Sequence, residues 1–170
     1  MANLGFLASG RGSNFAAIVA AIEVGAVPAR AAVLVSDRKN ARAIELATAK
    51  GIPAYYFPYD RNNRQAFEEK AADALRGHDC DLVCLAGYMR LLTPWFIRQF
   101  PNRILNIHPA LLPAFKGVDA QAQAVAAGVK VSGCTVHLVT DELDSGPILG
   151  QREVPVLEGD TAETLSARIL

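Results

Sequence analysis

Short apolar runs that stop at a glycine or a polar turn, each followed by a stretch of helical periodicity, constrain this chain more than any other feature. Leu4 to Ala8 is such a run and breaks at Ser9-Gly10-Arg11-Gly12, after which Phe15, Ile18, Val19 and Ile22 recur at helical spacing. Ala31 to Val35 repeats the signal and stops at Ser36-Asp37-Arg38; Ala41 to Lys50 then reads as a helix with Gly51 as its C-cap. Leu82 to Ala86, between Asp81 and Gly87, is apolar at every position, as expected of a strand covered on both faces.

The remaining segments continue the alternation. Ile52 to Phe57 is β-rich and held between Pro53 and Pro58, and Asn63 to Arg76 is a charged amphipathic helix. Thr93-Pro94 reads as an N-cap followed by Pro in the first turn of a short helix that stops at Pro101. Arg103 to Ile107 is the next strand and runs into His108-Pro109 and a Pro-rich loop through Gly117. Asp119 to Ala127 is a helix ended by Gly128, Gly133 to Val139 and Ile148 to Val156 are strands around the turn-rich loop Asp141 to Pro147, and Thr161 opens a last helix with Glu163 in its first turn. Strands and helices alternating at this spacing predict one α/β domain over 1–170, with a Rossmann-like, open, mostly parallel twisted sheet and helices on both faces. In such sheets the ligand crevice lies beyond the carboxyl ends of the strands.

Charge excludes some partners. The 17 Lys and Arg balance the 17 Asp and Glu, so no general field gathers polyanions, and neither nucleic acid nor a membrane surface is expected as the main partner. No stretch approaches the ~20 apolar residues of a membrane span, and Met1 to Gly10 reads as a first strand in place of a leader, which predicts a cytoplasmic protein. Cys80, Cys84 and Cys134 form no C-x-x-C pair and read as inert, buried thiols. His78 beside Cys80 and Cys84 does not make a zinc spacing, so no metal is expected.

Three strand-end segments carry the candidate chemistry. In Ser9-Gly10-Arg11-Gly12-Ser13-Asn14, two glycines permit a tight turn, and the helix start presents free N–H groups and the Ser13 hydroxyl to an anion. That pattern suits one phosphate, though a dinucleotide or a tight turn with no ligand also fits; Phe15 stands where a dinucleotide fingerprint wants a small residue, and Asp37 is a poor match for its ribose acid. In Asn106-Ile107-His108-Pro109 the Asn and His are two residues apart and share a strand face, which suits a carbonyl oxygen becoming an oxyanion; the alternative is a strand-end Asn and a core His satisfying only backbone. In Asp141-Glu142-Leu143-Asp144-Ser145-Gly146-Pro147, an Asp against His108 would favour the imidazolium, while the plain alternative is a solvated turn. His137 shares a face with Thr135 and reads as a core or supporting residue. No nucleophile elbow is present, which leaves direct attack of a substrate nucleophile on a carbonyl.

Taken in order, the Ser9 to Asn14 loop, Leu85-Ala86-Gly87-Tyr88-Met89-Arg90-Leu91-Leu92, Asn106-Ile107-His108-Pro109-Ala110-Leu111-Leu112-Pro113 and Asp141 to Pro147 resemble the folate-dependent formyltransferases across Met1 to Leu170. The Asn-Ile-His-Pro and Leu-Leu-Pro block is shared by 10-formyltetrahydrofolate hydrolases and transferases of this fold. The Gly-Ser-Asn loop points within them to the phosphoribosylglycinamide formyltransferase (glycinamide ribonucleotide transformylase) family of de novo purine (IMP) synthesis.

The resemblance implies transfer of a formyl group from 10-formyltetrahydrofolate, as co-substrate, to the amine of glycinamide ribonucleotide. It implies that Gly12, Ser13 and Asn14 hold the ribonucleotide phosphate, and that Met89, Arg90, Leu91 and Leu92 line the folate pocket with Thr140, Asp141 and the loop to Asp144, Arg64 also binding folate. The amine would attack the formyl carbon while Asn106 and protonated His108 stabilise the oxyanion, with Asp144 raising the His108 pKa and assisting proton transfer before tetrahydrofolate leaves. A homodimer is compatible with this reading. Two departures stand out: Asp119 and Gln121 occupy positions where the family often has histidines and are therefore expected not to be essential, or to have their role filled differently, and the family's last helix and strand are expected to be lacking, the chain being either cut short at Leu170 or unusually short. A formyltetrahydrofolate deformylase would use the same Asn, His and Asp with water, but with an extra amino-terminal domain. A methionyl-tRNA formyltransferase would add a tRNA-binding domain and basic surface. A non-catalytic nucleotide-binding module would need only the glycine loop.

Overall fold

The computed structural model describes residues 1–170, whose contacts group into two units, Met1–Ile104 and Leu105–Leu170. In the first unit, β1 (Ala2–Ala8), α1 (Ser13–Glu23), β2 (Ala29–Ser36), α2 (Arg42–Ala49), β3 (Ala54–Tyr56), α3 (Arg64–Gly77), β4 (Leu82–Leu85) and α4 (Pro94–Gln99) follow one another. Strand order is β3-β2-β1-β4, and every pairing within this unit is parallel. Parallel neighbours need long crossovers, and the helices supply them.

The apolar runs explain these strands: five successive residues of β1 and five of β2 are buried. Phe6 of β1 meets Phe15 of α1 edge to face at 4.9 Å, and Phe67, Leu75 and Phe96 complete a core without solvent exposure beyond 1%. Gly5 is required by close approach, because a Cβ there would lie 2.2 Å from a Leu75 methyl and 2.8 Å from the Cys80 sulfur. Local caps start the helices as read. Asn63 accepts a hydrogen bond from Ala66 N at α3, and Thr93 does so from Phe96 N at α4, with Pro94 following. The β-rich stretch 52–57 yields only the three residues of β3, since the prolines at 53 and 58 remove ladder donors on both sides.

The second unit carries β5 (Ile104–His108, its first residue closing the first unit), α5 (Ala120–Ala126), β6 (Val131–Leu138), β7 (Ile148–Pro155) and α6 (Ala162–Ile169). Here β5-β6-β7 pair antiparallel, the minority direction that a mostly parallel sheet leaves room for. With this strand content and strand–helix alternation the fold is α/β with a mostly parallel sheet character. Thr161 and Thr164 exchange reciprocal capping bonds at α6, and Leu165 is fully buried. Asp119 precedes α5 in a left-handed conformation, φ 54°, and its side chain makes no cap. The thiol expectation is corrected at one position: Cys80 and Cys84 are buried, whereas Cys134 on β6 is half-buried because its strand faces only partial cover. No helix is long and apolar enough to cross a membrane.

Candidate active site

Antiparallel register between β5 and β6 assembles the central cluster. It sets Asn106 opposite His137 and His108 opposite Thr135. The loop after β6 then brings Asp144 to both histidines, with Oδ2 3.4 Å from His108 Nδ1 and Oδ1 3.6 Å from His137 Nε2. All three side chains are at most 7% exposed. A buried carboxylate has no water to turn to, so it relies on the protein's own N–H groups around it. His137 Nδ1–H donates to Leu138 O at 3.0 Å, which leaves Nε2 to accept from the Asn106 amide at 3.3 Å. One of the two amide hydrogens of Asn106 is thereby used and the other is free to serve a ligand.

His108 is held at both ends. Its Nε2–H donates to Phe115 O at 2.7 Å, and its Nδ1 faces the Asp144 carboxylate, so both ring nitrogens are turned toward acceptors of the protein. The loop after β5 also reaches Asp144 directly, because Gly117 N–H donates to Asp144 Oδ2 at 2.9 Å. Asp144 itself has φ 48°, and Gly146 behind it admits no side chain: a Cβ there would lie 1.8 Å from Leu138 O. Thr135, fully buried, donates to Ala110 O and accepts from Leu112 N and Gln151 Nε2, tying down the chain that follows His108. Thr140 is half-buried and Asp141 exposed in the same β6–β7 loop. Of the two departures, Asp119 is exposed and Gln121 donates to Ser166 Oγ at 3.5 Å.

The glycine loop lies in the first unit. Gly12 takes φ 76°, and a Cβ there would sit 2.9 Å from Ala43 Cα, so only glycine fits. It precedes α1 with no side-chain cap, and Ser13 is the exposed first residue of that helix, with Asn14 half-buried behind it. Backbone N–H groups and a hydroxyl at an uncapped helix start are the donors that an anion takes. Ser9 plays a different part: its buried hydroxyl accepts from Met89 N at 2.9 Å.

Tyr88 to Leu92 follows β4 in the same unit and is anchored residue by residue. Tyr88 stacks on Phe67, Met89 N–H bonds Ser9, and Arg90 Nε donates to Asp37 Oδ2 at 2.8 Å. Thr93, next along, donates from both its N–H and its hydroxyl to the buried Glu68 carboxylate. Burial, with the Asp37 and Glu68 charges beside it, pushes the Tyr88 phenol well above its usual range. Met89 and Leu91 stay 67% and 62% exposed, which makes the segment an apolar surface on a fixed backbone. Arg64 is exposed at the first position of α3. Asp37 is no ribose acid, its side chain being completely buried against Arg90.

The anchors Asp37 and Glu68, and the Phe115 and Gly117 contacts, are not legible as site residues in the sequence. For Glu68 a signal existed, since 68, 71, 72 and 75 form the apolar stripe of α3 and a carboxylate on that stripe calls for a buried partner.

An amide and an imidazole beside a buried carboxylate, with no serine or cysteine nucleophile among them, suit group transfer at a carbonyl. The chain belongs to the formyl transferase family, whose model matches residues 2–170, and it is by that membership a formyl-transfer enzyme. Within the family it is 46% identical over 170 residues to phosphoribosylglycinamide formyltransferase of Bacillus subtilis (strain 168), covering 99% of this chain and 87% of that protein. The crystal structure of glycinamide ribonucleotide transformylase 1 from Symbiobacterium toebii superposes with a TM-score of 0.95 at 50% identity, over 99% of this chain and 80% of that one. A formyltetrahydrofolate deformylase from Pseudomonas syringae is more distant, at 29% identity and a TM-score of 0.91, over 98% of this chain and 55% of that one.

Proposed function

We propose that this chain transfers a formyl group from 10-formyltetrahydrofolate to the amine of glycinamide ribonucleotide, the formylation step of purine (IMP) biosynthesis, as a cytoplasmic formyltransferase domain acting on small molecules. The observation that carries the reading is Asp144 set between His108 and His137, with Asn106 bonded to the second of them. Attack of the amine nitrogen on the formyl carbon turns the carbonyl oxygen into an oxyanion. Asn106 gives it an amide N–H, and His108 gives it the Nε2–H that now lies on Phe115 O, exchanging one acceptor for another. Asp144 keeps the charged ring in place during that exchange and takes part in moving the amine proton toward the departing nitrogen.

The ribonucleotide phosphate is assigned to Gly12, Ser13 and Asn14, for which the uncapped helix start is the support. The donor is assigned to Met89, Arg90, Leu91 and Leu92, with Thr140, Asp141 and Arg64. Support comes from the exposed Met89 and Leu91, which offer a flat ring system apolar area that no other part of this segment covers. No step in this scheme calls for a metal.

Deformylation is the alternative that the shared cluster permits, with water in place of the amine. Incubating the protein with 10-formyltetrahydrofolate, with and without glycinamide ribonucleotide, separates the two. Tetrahydrofolate formed only with the ribonucleotide supports transfer; formate released at equal rate without it overturns the proposal.

A further inference from the structure

Arg90 carries a charge in the middle of the half-exposed 88–92 segment, and one edge of its guanidinium is tied inward. Its Nε donates to Asp37 Oδ2 at 2.8 Å, and its Cζ lies 4.5 Å above the centre of the Tyr59 ring. The Asp37 side chain is 0% exposed and that of Arg90 only 27%. A carboxylate so fully removed from water is costly unless paired, and the remaining oxygen, Oδ1, has no partner at all. The Ser36 hydroxyl accepts from Arg38 N at 3.1 Å, closing the turn that carries Asp37 into this position at the end of β2. Met89 and Leu91, on either side, remain exposed. The segment thus alternates outward, inward, outward, and the inward residue is the one tied to the buried acid.

We propose that Asp37 is a positioning residue for the formyl donor: by holding the Arg90 side chain inward it keeps the 89–92 backbone in the shape the donor binds, without touching the donor. This rests on the assignment of 89–92 to the donor made above. Without the carboxylate, a long cation with several rotatable bonds would be free to swing across the apolar surface that Met89 and Leu91 form. The loss then falls on binding, and the Asn106, His108 and Asp144 cluster in the other unit keeps its geometry.

Two-substrate kinetics on Asp37→Asn, which keeps the shape and removes the charge, test this. We expect KM for 10-formyltetrahydrofolate to rise about five- to tenfold, on the scale of one ordinary hydrogen bond, while kcat and KM for glycinamide ribonucleotide change less than about twofold. Arg90→Gln should raise the same KM, and the double variant should be no worse than the weaker of the two singles, because both remove one contact. An unchanged donor KM in Asp37→Asn, or effects of the two substitutions that multiply, would overturn the proposal. Should Asp37→Asn fail to fold, Arg90→Gln with unaltered donor KM overturns it equally. Leu91→Asp is the separate control for the pocket: if it leaves donor KM unchanged, the assignment of this segment is what fails.

Discussion

Asp144 Oδ2 stands 3.4 Å from His108 Nδ1 while its other oxygen stands 3.6 Å from His137 Nε2, so one buried carboxylate lies between two imidazoles. Replacing it by the isosteric amide leaves shape but removes the charge that both rings face. Asp144→Asn is expected to lower kcat by at least about 10²-fold, on the scale of losing one transition-state donor. Equilibrium binding of glycinamide ribonucleotide should persist. Single-turnover kinetics beside a binding titration check this, and a kcat within a few-fold of the parent would remove Asp144 from the mechanism.

The loop that presents Asp144 depends on Gly146. A methyl group there would meet Leu138 O at 1.8 Å and its carbonyl carbon at 2.9 Å, both main-chain atoms that cannot step aside. Gly146→Ala is expected to cost about 1–3 kcal/mol of stability, in the range of overpacked sites, and to lose activity as Asp144 shifts. Gly150→Ala, with nothing within 4 Å of the added carbon, is the matched control and should be near neutral. Urea unfolding of the pair gives the comparison.

Cysteine reactivity should divide by burial. Desolvation lifts the Cys84 thiol to about 11, and with the Asp81 and Asp79 charges added it lifts Cys80 to about 11 as well. The thiolate is the nucleophile, so both should be nearly inert at pH 8, whereas half-buried Cys134 should label first. Timed alkylation followed by peptide mass mapping checks the order; early labelling of Cys80 or Cys84 contradicts it.

Asp160 anchors α6 through Arg168, whose Nη1 and Nη2 donate to its two oxygens at 2.7 and 3.0 Å. That bond, together with the Leu157 N–H, holds the carboxyl well below its ordinary value of 3.8. A group with a depressed folded-state pKa adds stability above its unfolded value and loses it as pH falls. Asp160→Asn should therefore be less stable than the parent at pH 7, with the gap narrowing below about pH 4. Denaturant midpoints of both proteins across that range measure it; a constant gap would show that the Asp160 charge contributes nothing.

How much of this could be read from residues alone depends on whether the cause is local. The first strand, its glycine turn and the helix after it follow from burial and backbone freedom within some twenty positions, and Gly51 and Gly128 do end their helices at φ 68° and 67°. Asn106 and His108 were visible because a strand repeats every two residues. The antiparallel pairing of β5, β6 and β7 was not, since nothing in a short apolar run records the direction of its neighbour. The Asp144 contacts arise across 36 and seven residues from the two histidines, through a left-handed φ and a glycine that admits no Cβ. Asp37 reads as turn chemistry in the sequence and becomes an anchor only once Arg90, 53 positions away, is brought to it.

The most direct test of the account follows the formyl carbon itself. With 10-formyltetrahydrofolate labelled with carbon-13 at that carbon, and glycinamide ribonucleotide as acceptor, NMR of a single turnover shows where the label goes. The account expects it on the ribonucleotide amine in the parent protein, and at a rate lower by about 10²–10³ in Asn106→Ala with both substrates still bound. Label appearing in formate, or passing to the amine at the parental rate in Asn106→Ala, would contradict it.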